Sequence, residues 1–198
     1  MPLSPRLYHW FVRPQWLTKK HIHDHIRDHI PLRNRRVLDF GSGTGANCGL
    51  CDPGDYLGIE PSKERVLLAS RLYPGHRFVV FDRKRIPAPD DSMDYVFIIA
   101  LLHHIPDNLI RDYLQEFERV LKPGGTVIAM EPCLFENKRF NNRFMNWYDD
   151  GEHIRDESQY FRLFQDKQYE CRVLGRFTKC FVYNELFFSA TPTRKKGF

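Results

Sequence analysis

No apolar run in this chain approaches the roughly 20 residues that a membrane-spanning helix needs. The longest, Tyr95 to Leu102, has the length of a strand. The amino terminus opens Met-Pro-Leu-Ser-Pro-Arg and soon reaches His9, Arg13 and Lys19, with no apolar stretch of the signal-peptide kind. The expectations are no membrane span and a cytoplasmic address. Cysteine is sparse and odd in number: Cys48, Cys51, Cys133, Cys171 and Cys180 do not suit a secreted disulfide framework. Cys48-Gly-Leu-Cys51 lacks the second CxxC or His pair of a zinc site. Both are read as reduced thiols in a loop, and no metal is expected. Internal repeats and low-complexity tracts are missing. So is any Gly-Lys-Ser/Thr, which excludes a P-loop.

What remains is one ordinary domain of 198 residues. Hydrophobic residues make up 42%, enough for a core that offsets the conformational entropy lost on folding. The formal charge is +5, but the basic residues are scattered: Arg33, Arg35 and Arg36; Arg83, Lys84 and Arg85; Lys138, Arg139 and Arg143; Lys195 and Lys196. No nucleic-acid recognition module accompanies them.

Along the chain, Pro14 to Ile30 has a helical rhythm. Ile22, Ile26 and Ile30 recur every four residues, Trp16 and Leu17 extend the stripe, and Pro31 stops it. His21, His25 and His29 form another stripe whose spacing could hold a metal; the reading preferred is a solvated face. Arg36–Phe40 and Tyr56–Glu60 read as short buried strands. Pro61 to Tyr73 reads as a helix capped by Ser62, with Val66, Leu67, Ala69, Ser70 and Tyr73 inward. Arg77–Asp82, Asp94–Ala100 and Thr126–Glu131 are three further strands, the middle one apolar at consecutive positions, as befits a strand covered on both faces. Asn108 to Leu121 is an amphipathic helix with Leu109, Tyr113, Leu114, Phe117 and Leu121 inward, ended by Lys122-Pro-Gly-Gly125. Residues 137–150 read as helix plus loop and 156–168 as a helix capped by Asp156 or Ser158. Glu170–Thr178 and Tyr183–Ala190 read as paired strands. The carboxyl-terminal Arg194-Lys-Lys-Gly-Phe198 is a basic tail expected to fray. Alternating strands and helices predict a doubly wound, mostly parallel, Rossmann-like sheet of seven strands, with an antiparallel carboxyl-terminal pair and an amino-terminal helical extension. The expected organisation is a helical cap over 1–31, a core over 35–131, and substrate-side helices and strands over 132–198.

The decisive stretch is Val37-Leu-Asp-Phe-Gly-Ser-Gly-Thr-Gly45. A strand ends, and Gly41, Gly43 and Gly45 follow at alternate positions, allowing the positive φ and close approach that a ligand lying on the loop requires. In an open α/β sheet the ligand crevice lies beyond the carboxyl ends of the strands. A dinucleotide loop would be GxGxxG; here the third glycine comes one residue early. Asp39 stands two positions before the first glycine, where a carboxylate suits a cationic ligand better than a phosphate.

With these motifs the chain resembles the class I S-adenosylmethionine-dependent methyltransferases, of the UbiE-like small-molecule type. The resemblance runs from about Val37 to Glu131. The glycine loop, with Ser42 inside it, matches the family's first motif. Glu60, followed by Pro61, matches the residue that grips the ribose, and two carboxylate oxygens can serve two hydroxyls. Asp82, with the Arg83 amide, matches the adenine contact. Leu101-Leu-His-His-Ile-Pro-Asp107 matches the segment after the fourth strand, and Leu121-Lys-Pro-Gly-Gly125 the turn before the fifth. The resemblance implies that Asp39 and the Ala100 carbonyl lie near the methionine ammonium and that Leu101 packs on the adenine. The chain departs from the family between Gly45 and Tyr56, which is too short for the usual full helix.

The implied activity is methyl transfer from S-adenosylmethionine, yielding S-adenosylhomocysteine, to a small-molecule acceptor by in-line displacement. His103 and His104 are the candidate bases, with near-neutral reference pKa values, and His103 is preferred from the family pattern. Tyr8, Trp10, Glu131 and Tyr148 are the candidate substrate-side residues. An RNA acceptor is the alternative substrate, with Pro132-Cys133 its one faint sign, and a non-catalytic binding module the alternative class. A nicotinamide oxidoreductase is disfavoured by the glycine spacing and by the lack of a Tyr-x-x-x-Lys pair. A monomer or a homodimer fits equally.

Overall fold

The computed structural model describes residues 22–149, 151–179 and 181–193. The parallel half of the sheet is built from β1 (Val37–Phe40), β2 (Tyr56–Glu60), β3 (Arg77–Val80), β4 (Met93–Ile99) and β5 (Leu121–Leu134). A two-residue β6 (Arg155–Asp156) pairs with the end of β5. β7 (Tyr169–Lys179) and β8 (Tyr183–Pro192) close the sheet as an antiparallel ribbon. The order is β3-β2-β1-β4-β5-β8-β7, and β5 pairs with β8 antiparallel. This is the expected architecture, with β6 as an unforeseen addition.

Helices cover both faces. α1 (Asp24–His29) lies on one of them, with Ile22, Ile26 and Ile30 buried against Val37, Phe97, Ile128 and Phe187. The isoleucine stripe therefore does what its spacing predicts. The expected beginning of this helix, with Pro14, Trp16, Leu17 and His21, lies outside the described residues. The solvated histidine face holds for His29, which is exposed with Asp24, Arg27 and Asp28, and is corrected at His25. His25 is half-buried and stacks on Phe177 at 4.3 Å, and His29 meets Phe187 edge-on at 5.5 Å. The aromatic end of the β7–β8 ribbon reaches beneath the helix and takes the His25 ring that the sequence leaves to solvent.

α2 (Lys63–Leu72) is capped as expected, Ser62 accepting from the Arg65 amide. α3 (Asp107–Val120) buries Ile110, Leu114, Phe117 and Val120. Two leucines expected inward are turned out: Leu67 is 49% exposed and Leu109 41%. The helix phases run through Val66–Ala69 and Ile110–Leu114–Phe117, which puts a residue one position away about 100° off the packed face. Ser70 is exposed for the same reason. α4 (Arg139–Tyr148) and α5 (Glu157–Gln165) follow β5. α5 begins in a full capping box, Asp156 accepting from the Gln159 amide and Gln159 from the Asp156 amide. Among the described residues no helix is long and apolar enough to cross a membrane.

Only two short 3-10 turns, Cys48–Leu50 and Pro53–Asp55, stand between β1 and β2. The short linker therefore carries no α-helix. Lys122-Pro-Gly-Gly125 bulges out of β5, so that Met93 pairs with Leu121 and Tyr95 with Thr126, and Gly124 takes φ +79°.

Candidate functional site

Five strands run parallel, so the chain leaves each carboxyl end on the same side of the sheet. The glycine loop leaves β1 there. Gly41, Gly43 and Gly45 all have positive φ, at +78°, +56° and +83°. The Gly41 and Ser42 amides donate to the Ile59 carbonyl at 2.9 and 3.0 Å, folding the loop across the end of β2. A Cβ on Gly43 would meet nothing within 4 Å, so this residue opens on free space. A Cβ on Gly41 would stand 2.5 Å from Leu101 Cδ2, and one on Gly45 would stand 2.7 Å from the Phe78 ring. The loop is thus wedged between β3 and the exit of β4.

Asp39 is buried inside this wedge. It accepts from the Tyr56 hydroxyl at 2.6 Å and from Asn47 Nδ2 at 3.3 Å. Burial first, and the Asp39 charge second, push the Tyr56 phenol well above its ordinary value. The same two causes, in the same order, push Cys48 and Cys51 up to about 12. Both thiols are free, as expected, and neutral at physiological pH.

Glu60, buried at the end of β2, ties loop to strand. Its Oε2 accepts from the Gly43 amide at 3.3 Å and its Oε1 from the Ser62 amide at 3.0 Å, with Arg65 Nη1 3.8 Å away. A carboxylate offers about four lone-pair sites, so acceptor capacity remains beyond these two bonds. Pro61 follows on the surface. Asp82 is exposed two residues past β3, where its Oδ1 accepts from the Lys84 amide, and Arg83 takes φ +66°.

Ala100, the residue after β4, takes φ +51°, an uncommon conformation for a residue with a Cβ. Its amide donates to the Met130 carbonyl, and Leu101 then drops onto Gly41. Asp39, Gly41 to Gly45, Glu60, Ala100 and Leu101 are therefore gathered at one place, with Asp82 and Arg83 beyond β3 at the same end of the sheet.

His103 and His104 lie in a 3-10 turn (Leu102–His104) beside it. They part company there. His104 is exposed. His103 is buried with Nδ1 2.8 Å from Glu131 Oε2 and Nε2 3.5 Å from Asp149 Oδ1. Asp149 also accepts from the Tyr183 hydroxyl and the Gly151 amide. Burial first, then Asp149, pushes the Tyr183 phenol far above its ordinary value. Glu131 is fully buried and turned toward the backbone of this turn instead of toward open space. No local motif in the sequence marks Arg155 or Tyr183 for this place.

The helix α4 turns a mixed side inward and leaves three aromatic residues outside. Asn141 bonds to Asn184 and Met145 is buried, while Phe140, Trp147 and Tyr148 are 74%, 80% and 67% exposed. Phe144 stacks on Tyr148 at 5.4 Å. Tyr8 and Trp10 lie outside the described residues. Cys133 is buried, and burial pushes its thiol up to about 12, unfavourable for a nucleophile. Among the described residues no group of three or more His, Cys, Asp or Glu could hold a metal ion.

The strand order, the glycine loop and the acidic end of β2 describe a class I methyltransferase fold. Comparison with known proteins agrees. The family described as "Methyltransferase domain" matches residues 38–129. A demethylmenaquinone methyltransferase of Lysinibacillus sphaericus is 29% identical over 139 residues, covering 61% of this chain and 58% of that protein. The ubiquinone/menaquinone biosynthesis C-methyltransferase UbiE of Rickettsia massiliae is 30% identical over 118 residues, covering 52% and 46%. The chain spans about half the length of the curated relatives it matches. The crystal structure of the YcgJ protein of Bacillus subtilis superposes with a TM-score of 0.70 at 18% identity, over 89% of this chain and 100% of that one. The chain is thus similar, over residues 38–129, to the class I S-adenosylmethionine-dependent methyltransferases, its curated relatives including UbiE proteins.

Proposed function

We propose that the protein transfers a methyl group from S-adenosylmethionine to a small-molecule acceptor. One observation carries this reading. The glycine loop opens on free space at Gly43, whose amide meets the carboxylate of Glu60, while Ser42 Oγ lies buried against Gly58 with no hydrogen-bond partner among the described residues. The polar capacity open to a ligand is that of Glu60, whose carboxylate keeps spare lone pairs; the unmade bond of Ser42 Oγ, behind it, costs about 1–3 kcal/mol. Asn47 Oδ1, behind Asp39, is in the same position. The donor and acceptor set fits the cofactor: Glu60 would take the ribose hydroxyls, Asp82 and the Arg83 amide the adenine, and Leu101 its ring face. Gly41, Ser42, Gly43 and Gly45 would line the methionine side. Asp39 and the Ala100 carbonyl would favour the ammonium, and Pro61 would border the ribose. S-adenosylmethionine, when bound, supplies an electrophilic methyl group on a sulfonium.

The chain's own work is to orient the acceptor and exclude water. His103 and His104 would flank the acceptor. Where the acceptor must lose a proton, exposed His104 is the better placed to take it, because both nitrogens of His103 face carboxylates. Tyr148, with Trp147 and Phe140, would cover the approach, joined by Tyr8 and Trp10. Aromatic side chains there suit an apolar acceptor, and relatives named for demethylmenaquinone support the same class.

Calorimetric titration with S-adenosylmethionine, S-adenosylhomocysteine and NAD tests the cofactor. The first two should bind and the third should not. Binding of NAD alone would overturn the reading. Normal cofactor binding without labelled-methyl transfer to any of a panel of quinol, phenol, amine and RNA acceptors would favour a non-catalytic module.

A further inference from the structure

The backbone leaving β4 must turn sharply past the glycine loop and then start α3. Two buried charges hold it from opposite sides. Glu131 Oε1 accepts from the Leu101 amide at 2.8 Å and from the Leu102 amide at 2.9 Å; its Oε2 accepts from the His103 amide at 3.4 Å and lies 2.8 Å from His103 Nδ1. Arg155 satisfies the opposite groups. Its Nη1 donates to the Leu102 carbonyl at 3.0 Å and its Nη2 to the Ile105 carbonyl at 2.9 Å. Its Nε and Nη2 reach Asp107 Oδ1, at 3.1 and 2.5 Å, at the first residue of α3. Glu131 is on β5, and Arg155 is on β6, paired in register with Cys133 two residues further along β5. One strand edge therefore carries both halves of the clamp.

Such an arrangement is expensive if it serves packing alone. Taking a carboxylate and a guanidinium out of water costs several kcal/mol each, and apolar residues of similar volume often stabilise as well. What the two charges provide is a fixed backbone. Ala100 is held in the left-handed region, and Leu101 is pressed onto Gly41.

We propose that Glu131 and Arg155 are positioning residues of the cofactor site, fixing the Ala100 carbonyl and the Leu101 side chain against the glycine loop. This rests on the S-adenosylmethionine reading above. Neither side chain touches the cofactor; both act through residues 100–105.

The test uses the full chain and two readouts, hydrogen exchange at the Leu101, Leu102 and His103 amides and calorimetric affinity for S-adenosylhomocysteine. Glu131→Gln keeps the shape but sets an amide group against His103. Exchange at those three amides should rise about tenfold or more, and affinity should fall about tenfold or more, since each is governed by charge-assisted hydrogen bonds. Arg155→Lys, which keeps the charge and loses the fork, should show the same pairing of effects and stands in if Glu131→Gln fails to fold. Arg119→Ala is the control. It breaks a comparable network, with Glu116 and Asp90, far from the loop. It should lower the melting temperature and leave both readouts unchanged. Wild-type exchange and wild-type affinity in the Glu131 and Arg155 variants would overturn the proposal, as would an Arg119→Ala loss of equal size. If the unmodified protein binds no S-adenosylhomocysteine, the cofactor reading fails, and the exchange arm still decides whether the clamp exists.

Discussion

Across the candidate site, the glycine loop after β1 and the turn after β4 touch through Gly41 and Leu101, yet they are held by different means. The glycine loop rests on backbone hydrogen bonds to Ile59 and on the rim of Glu60, and it keeps unsatisfied atoms at Ser42 and Asn47. The turn after β4 has its Leu101, Leu102 and His103 amides taken by one buried carboxylate and its Leu102 and Ile105 carbonyls by one buried guanidinium. A loop that must accept a ligand keeps unused polar capacity. A loop that must present a backbone carbonyl at a set place cannot afford slack, because a misplacement of the order of 1 Å can cost about 100-fold in rate.

That contrast can be broken at several points. The largest effect should come from Arg155→Ala, which leaves the Leu102 and Ile105 carbonyls without their donor. About 3 kcal/mol of stability should be lost, read by urea unfolding; a loss below about 0.5 kcal/mol, the scale of an ordinary surface change, would show the clamp to be idle. On the other loop, Glu60→Ala should weaken S-adenosylmethionine binding by about 1–3 kcal/mol, measured by calorimetry. Unchanged affinity would remove Glu60 from the ribose. Tyr56→Phe removes the 2.6 Å bond to buried Asp39 and should cost about 1–2 kcal/mol of stability, checked by thermal melting. An unchanged melting point would mean that Asn47 alone suffices.

The smallest effect at neutral pH concerns the thiols behind the glycine loop. Burial raises Cys48 and Cys51 to about 12, so the folded state keeps protons that an unfolded thiol releases near pH 9. Stability therefore stays level below about pH 8 and falls as pH rises between about 9 and 12, where the unfolded chain binds fewer protons. A pH series of melting temperatures checks the sign. Rapid iodoacetamide labelling of both residues in the native protein at pH 8 would contradict it.

Much of the frame was legible residue by residue. Tyr56–Glu60 is a strand with the predicted bounds, and the alternate glycines do adopt positive φ. Ser62 caps its helix. These features answer to local rules, where periodicity, a cap or a missing Cβ acts within a few residues. Periodicity alone does not decide between neighbours on one helix: Ile110 takes the core and Leu109 is left outside. The reading slipped where a partner stood far off. Glu131 looked like a strand-end carboxylate facing a pocket, and Arg155 like one basic residue among thirty. Their roles depend on groups 28 to 30 and 48 to 53 positions away.

The sequence by itself determined the parallel sheet, the position of the glycine loop and the acidic end of β2, because strand length, alternation and glycine φ are properties of short segments. Only the tertiary structure decided which ionisable groups stand at the open end of the sheet and which are spent on the backbone. A charge may be buried only where donors or acceptors from other strands meet it, and no single segment contains that information.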